Sequence, residues 1–142
     1  MSHPPLSTAS RHALALSFVA AAVACPLLLF FEWGAAPAED AAILMRYARH
    51  LAQGHGIVWN VGEAPIDGAT DFLFMAAMAA LAALGTTIET ATRWLTVGAH
   101  VVTVAVVYAR VVRSRVEPAL AALAAAFVAV GPGLSYAEAY FG

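Results

Sequence analysis

Charge is what this sequence has least of. Only 11% of its 142 residues are Asp, Glu, Lys or Arg, while 62% are hydrophobic. A soluble domain carries nearer a quarter charged residues, so the balance excludes an ordinary water-soluble globule and points to a membrane protein. Cysteine is almost missing as well. The single Cys25 lies in an apolar run, which excludes an intrachain disulfide and any cysteine-based zinc or redox spacing. No basic stripe suggests nucleic acid, and a net charge of −2 identifies no partner. No internal repeat is visible; the alanine richness suits close packing between membrane helices.

What is present is long apolar sequence. Ala13 to Phe31 is an uncharged run of 19 residues, close to the roughly 20 needed to cross a bilayer core of about 30 Å. A membrane helix tolerates Pro26 within it, and Trp33 stands where an interfacial aromatic would anchor the outer end. A cleaved signal peptide is the rival reading. It is disfavoured because the run is long and the nearest small-residue site, Ala36-Pro37-Ala38, has proline between the alanines. Expected spans cover residues 12–31, 89–112 and 117–133, the last with Pro118 in its first turn. Residues 32–87 form the long first loop.

Phe72 to Leu84 is apolar but only 13 residues long, short for a span. If it crossed, Arg110, Arg113 and Arg115 would lie outside the cell, against the preference of cytoplasmic ends for Arg and Lys. It therefore reads as a juxtamembrane helix. The expected fold is an all-α membrane protein with about three transmembrane helices, forming one membrane domain. Its long extracytoplasmic first loop carries amphipathic juxtamembrane helices. The chain is expected in the cytoplasmic (inner) membrane, multi-pass, with loop and C-terminal tail on the extracytoplasmic face.

Glu39 to Asp71 is a polar island in this apolar sequence, holding five of the nine carboxylates. Ile43, Leu44, Tyr47 and Leu51 recur at helical spacing, with Arg46, Arg49, His50 and Gln53 mostly on the other side. That pattern is an amphipathic helix lying in the interface, ended by Gly54 and Gly56. Gly56 to Gly68 reads as an irregular or short-strand segment with a turn around Asn60 to Glu63. Glu39 and Asp40 either complement the helix macrodipole or serve as general base or metal ligand. Arg46 and Arg49 either form a solvated helical side or hold a phosphate, which the guanidinium fork matches. His50 and His55 have no third ligand at metal spacing. His100, inside a span, reads as a neutral histidine bonded across helices ahead of a proton relay. Thr70 or Asp71 would cap the short apolar helix.

Taken together, these elements resemble a known family. The run has Glu39 and Asp40; Arg46, Tyr47 and Ala48; Gly54 and Gly56; Trp59 and Asn60; then Asp67, Gly68 and Thr70 before an aromatic-rich helix. In that order it resembles the first extracytoplasmic loop of the GT-C superfamily of integral membrane glycosyltransferases. The subgroup it looks most like is the actinobacterial arabinofuranosyltransferases and mannosyltransferase-like proteins. Ser135 to Glu138 resembles the acidic motif of a second loop in such enzymes. Departures are Glu39 at a position where Asp is usual and Asp71 where Asn is common. The resemblance implies transfer of an arabinofuranosyl- or mannosyl-type sugar from a polyprenyl-phosphate donor to a glycan or lipid acceptor of the cell envelope. It implies Asp40, with Glu39, as catalytic groups, and Arg46, Tyr47, Asn60, Asp67 and Glu138 as substrate-binding groups. Some relatives use a divalent metal, and no cofactor is identified from these residues. Such enzymes are several times longer, so the chain matches only their N-terminal part and is expected to be inactive alone. The alternatives are a small non-catalytic membrane protein that packs with partner helices through its alanine faces, or a transporter fragment using Glu39, Asp40 and His100.

Overall fold

The computed structural model describes residues 7–29, 37–65 and 71–131. Among them the chain forms five helices and no strand: α1 (Thr8–Leu29), α2 (Glu39–Ala52), α3 (Phe72–Ala83), α4 (Ile88–Arg113) and α5 (Pro118–Val130). By length and composition two of these could cross a membrane, Thr8–Leu28 and Ile88–Arg113. Only 22% and 17% of their most apolar windows are buried, so neither is the core helix of a water-soluble globule. Their outward side chains include Leu14, Leu16 and Phe18 on α1 and Val101, Val102 and Val106 on α4. Apolar surface of this kind calls for lipid or another protein.

Several helix ends lie where a local group satisfies the backbone. An α-helix leaves its first N–H and last C=O groups without intrahelical partners. Ser7 Oγ accepts from Ser10 N–H at 3.1 Å, so α1 starts four residues ahead of the expected span. Thr87 Oγ1 accepts from Thr90 N–H at 3.2 Å and begins α4 in the same manner. At the end of α2, Gly54 N–H donates to Leu51 O and His55 N–H to His50 O, with Gly54 at φ 81°. Gly85, at φ 103°, closes α3 with the corresponding pair of bonds. This double bond around a left-handed residue favours glycine. At the end of α4 the left-handed position is held by Arg115, at φ 60°, whose N–H donates to Val112 O at 3.0 Å.

The helices form two compact units. In one, α1, the later part of α4 and α5 pack around Ala15, Val19, Val104, Tyr108, Ala121, Ala122, Ala125 and Ala129. Alanine recurs along α5 at three- and four-residue spacing, which lets two backbones approach closely. Arg11, near the start of α1, meets Glu117, just before α5, at 3.1 Å, so the two helices run parallel. In the other unit, α2 and α3 with the start of α4 bury Leu44, Met45, Tyr47, Ala48, Met75, Met78, Ala79 and Ile88.

Three expectations are changed or settled. The third expected span, 117–133, is represented by a helix of 13 residues, about 20 Å long at the α-helical rise, with Glu117 outside it as N-cap and Gly131 as C-cap. It falls short of a core of about 30 Å, so two membrane-length helices, rather than three, are present among the described residues. The second settles an open reading: of the irregular and short-strand alternatives after Gly56, residues 56–65 take the irregular one with the expected turn, Glu63 N–H donating to Asn60 O at 3.2 Å and Gly62 at φ 88°. The third concerns the start of α3: Asp71 stands at its N-cap, but its side chain makes no capping hydrogen bond. Glu39 and Asp40 occupy the first turn of α2, where acids complement the macrodipole, behind the N-cap residue Ala38.

The α1/α5 seam predicts a specific cost for added volume. Ala125 is 0% exposed, so Ala125→Leu should destabilise the chain by about 1–3 kcal/mol through overpacking. Leu123→Ala, on the exposed side of α5, should move stability by no more than about 0.5 kcal/mol. Thermal unfolding of the detergent-solubilised chain, followed by circular dichroism, checks both; equal melting shifts would show that the seam is not close-packed.

Candidate functional site

The polar island folds so that α2 carries most of its chemistry. Leu44, Tyr47 and Ala48 turn one face into the α2/α3 core, which leaves Glu39, Arg46, Arg49 and His50 on another, because residues seven apart and three to four apart share a side. The centre of that face is Arg46. Its Nε donates to Trp59 O at 2.9 Å and its Nη2 to Asn60 Oδ1 at 2.7 Å. The guanidinium carbon also lies 4.2 Å from the Trp59 ring centroid, within cation–π range.

The turn that follows is fastened by the same group. Asn60 Nδ2 donates to Glu63 Oε2 at 2.8 Å, so Arg46, Asn60 and Glu63 form one line of polar contacts from helix to turn. Trp59 packs against Tyr47, with ring centroids 5.7 Å apart and planes inclined at 54°. His50 Nδ1 donates to Val58 O at 2.8 Å, which places a hydrogen on that nitrogen. The His50 and His55 rings meet edge to face at 6.2 Å. Arg49 pairs with Glu89 at 2.8 Å, both about half exposed; a surface pair like this contributes about 0–1 kcal/mol.

Three expected site residues, Arg46, Tyr47 and Asn60, are thus brought together around Trp59. Tyr47 is only 2% exposed, and both amide groups of Asn60 are engaged. Their geometry suits positioning the turn. Arg46 is half-buried and commits two of its five N–H donors to these bonds. Glu39 and Asp40 are exposed in the first turn of α2, and neither side chain has a partner among the described residues. Asp67 and Glu138 lie outside the described residues. Among the described residues no three His, Cys, Asp or Glu side chains converge as metal ligands.

Two members of the network were not anticipated. Glu63 follows Asn60 by three residues, a spacing at which polar turn side chains commonly meet, so its part was open to reading. Glu89 is 40 residues from Arg49, and no local pattern announces that pairing.

The Arg46 fork yields a direct test. Lysine keeps the charge but cannot bond two oxygens in a plane, so Arg46→Lys should cost about 1.5–3 kcal/mol, the range for hydrogen bonds made by a charged group. It should also release the Trp59 ring, moving its emission to the red in a variant where Trp33 and Trp94 are phenylalanine. An unchanged spectrum and melting point would show that the fork does not hold the turn. Comparison with known protein families, curated proteins and solved structures finds no match to this chain, so a functional reading rests on the geometry above and on the motif order.

Proposed function

We propose that this chain is part of a GT-C-type membrane glycosyltransferase that transfers an arabinofuranosyl- or mannosyl-type sugar from a polyprenyl-phosphate donor to a cell-envelope glycan or lipid. The observation that carries the reading is the state of the carboxylates. Glu63, Glu89 and Glu117 each hold a structural partner. Glu39 and Asp40 hold none among the described residues and stand exposed at the head of a helix between two membrane-length helices. A base must reach its substrate's proton, and among the described residues Glu39 and Asp40 are the acids with no other partner.

In the proposed reaction the acceptor hydroxyl oxygen forms a bond to the anomeric carbon as the bond from that carbon to the donor phosphate breaks. Asp40, with Glu39 beside it, takes the hydroxyl proton, and the leaving group departs as polyprenyl phosphate. The three Arg46 N–H groups not committed to the turn would meet anionic oxygen of the donor, while Tyr47 and Asn60 hold Trp59 and the turn in position. Asp67, Glu138 and any divalent metal would complete the site from outside the described residues.

The proposed topology has α1 running outward and α4 returning, with α2 and α3 on the extracytoplasmic face of the inner membrane. The arginines at the end of α4 then lie inside, as the positive-inside preference requires, and α5 begins a third crossing. The competing partner-packing protein needs a free small-residue face. The alanine face of α5 is already covered by α1, which favours the transferase reading.

In an enzyme carrying the complete membrane domain, Asp40→Asn should lower sugar transfer by about 100-fold or more, the scale of a general base, with membrane insertion unchanged. Transfer near the starting level would remove Asp40 from the mechanism. Topology is checked separately. With exposed Cys25 replaced by serine, Ser114→Cys should resist an impermeant thiol reagent added outside intact cells and react after permeabilisation. Labelling in intact cells would place the arginine end outside.

A further inference from the structure

One end of the α1/α4/α5 unit gathers arginine. Arg11 begins α1, Arg110 and Arg113 end α4, and Arg115 follows in the connection to α5. Among the described residues of this unit the acid facing them is Glu117, and it is paired with Arg11. The side chains of Arg110, Arg113 and Arg115 are exposed and make no hydrogen bond or ion pair with described residues.

Two apolar grooves run to this same end. The first, of about 380 Å³, lies between α1 and α5; Leu14, Phe18, Ala122 and Leu123 line it, and the Arg11–Glu117 pair closes it. The second, of about 370 Å³, follows one face of α4 along Val102, Ala105, Val106 and Ala109 and finishes at Arg110 and Arg113. Each has an apolar wall and a guanidinium at its mouth. That is the profile of an anionic amphiphile with its head at the arginines and its tail along the helices.

We propose that this end binds an anionic glycerophospholipid, its phosphate oxygens held by Arg110, Arg113 and Arg115 and an acyl chain lying in the α4 groove that finishes at Arg110 and Arg113. All seven cationic residues of the chain are arginine, whose planar fork bonds two phosphate oxygens at once. Basic pockets beside membrane helices hold anionic headgroups by this combination of charge and burial. Arg115 adds an independent indication. It occupies the left-handed position at which α2 and α3 use Gly54 and Gly85, and a side chain there is strained. A cation kept where glycine fits better is explained by what its side chain holds. The proposal rests on the chain being embedded in a membrane and not on the transferase reading.

The test uses the full chain, first shown to resist alkaline extraction from membranes, then delipidated in a neutral detergent and titrated with phosphatidylglycerol or phosphatidylcholine. Bound lipid is counted by native mass spectrometry, and the melting temperature is read in parallel. Phosphatidylglycerol should bind and raise the melting temperature; phosphatidylcholine should do neither. Each arginine at an anionic surface contributes about a fivefold factor, so R110Q/R113Q should weaken phosphatidylglycerol about 25-fold and R115G about fivefold. R115G should leave the lipid-free melting temperature unchanged or higher, which a merely structural arginine would not. Glu117→Gln, which frees Arg11, should strengthen binding. Equal binding of the two lipids, full retention by R110Q/R113Q, or equal stabilisation by excess inorganic phosphate would each overturn the proposal. Release of the chain by alkaline extraction would overturn the membrane reading beneath it.

Discussion

The rest of the structure depends on one constraint: backbone polar groups at helix ends must be satisfied where little water or side-chain polarity is at hand. With only 11% charged residues, the chain has few groups to spend on this, and it uses the smallest ones. Ser7 and Thr87 open the two membrane-length helices with a hydroxyl three residues ahead of the N–H it accepts. Gly54 and Gly85 close two of the three short helices, α2 and α3, by taking a left-handed conformation. These four residues set the helix lengths. Length in turn separates α1 and α4, which can span a bilayer, from α2 and α3, which cannot.

A second consequence is the division of work among charges. Between α1 and α4 the arginines are consumed locally: Arg46 holds the Trp59–Asn60 turn and Arg49 meets Glu89. The polar island is therefore rigid at its middle, with its acidic pair left open at its start. Acids at the first turn of a helix whose opposite face is packed have their direction fixed, because the buried side of α2 determines where the exposed side points.

Much of this was legible in the sequence, for identifiable reasons. Helix α2 was readable because Leu44, Tyr47 and Leu51 repeat at helical spacing between an acidic start and a glycine end, each signal agreeing with the others. The turn at Asn60 to Glu63 was readable from its glycine. Of the third expected span the described residues give Pro118–Val130, ended at the glycine the sequence offers there but shorter than a bilayer core, since hydropathy reports apolar character and not helix length. The part of Trp59 as the plate under Arg46 was hidden, since a stacking contact across 13 residues leaves no periodic trace. The early starts of α1 and α4 were available in Ser7-x-x-Ser10 and Thr87-x-x-Thr90, but long apolar runs draw attention from the polar residues just outside them.

The seven arginines show how such a chain tells its two ends apart. Where a carboxylate or carbonyl lies within reach, as for Arg11, Arg46 and Arg49, the guanidinium is absorbed into the fold. At the end of α4 no such acceptor is supplied: Arg110, Arg113 and Arg115 face outward, although Glu117 is only two residues beyond the last of them and has been given to Arg11. Among the described residues, the cations at the end of α4 and the carboxylates at the head of α2 are the charges left unpaired. Holding exposed charge apart costs little in water, but beside an apolar surface each charge attracts a counter-ion of its own. Helix α4 ends in unpaired arginine and helix α2 begins with unpaired carboxylates, and the sign of the charge left over at each place determines which ligand it can take.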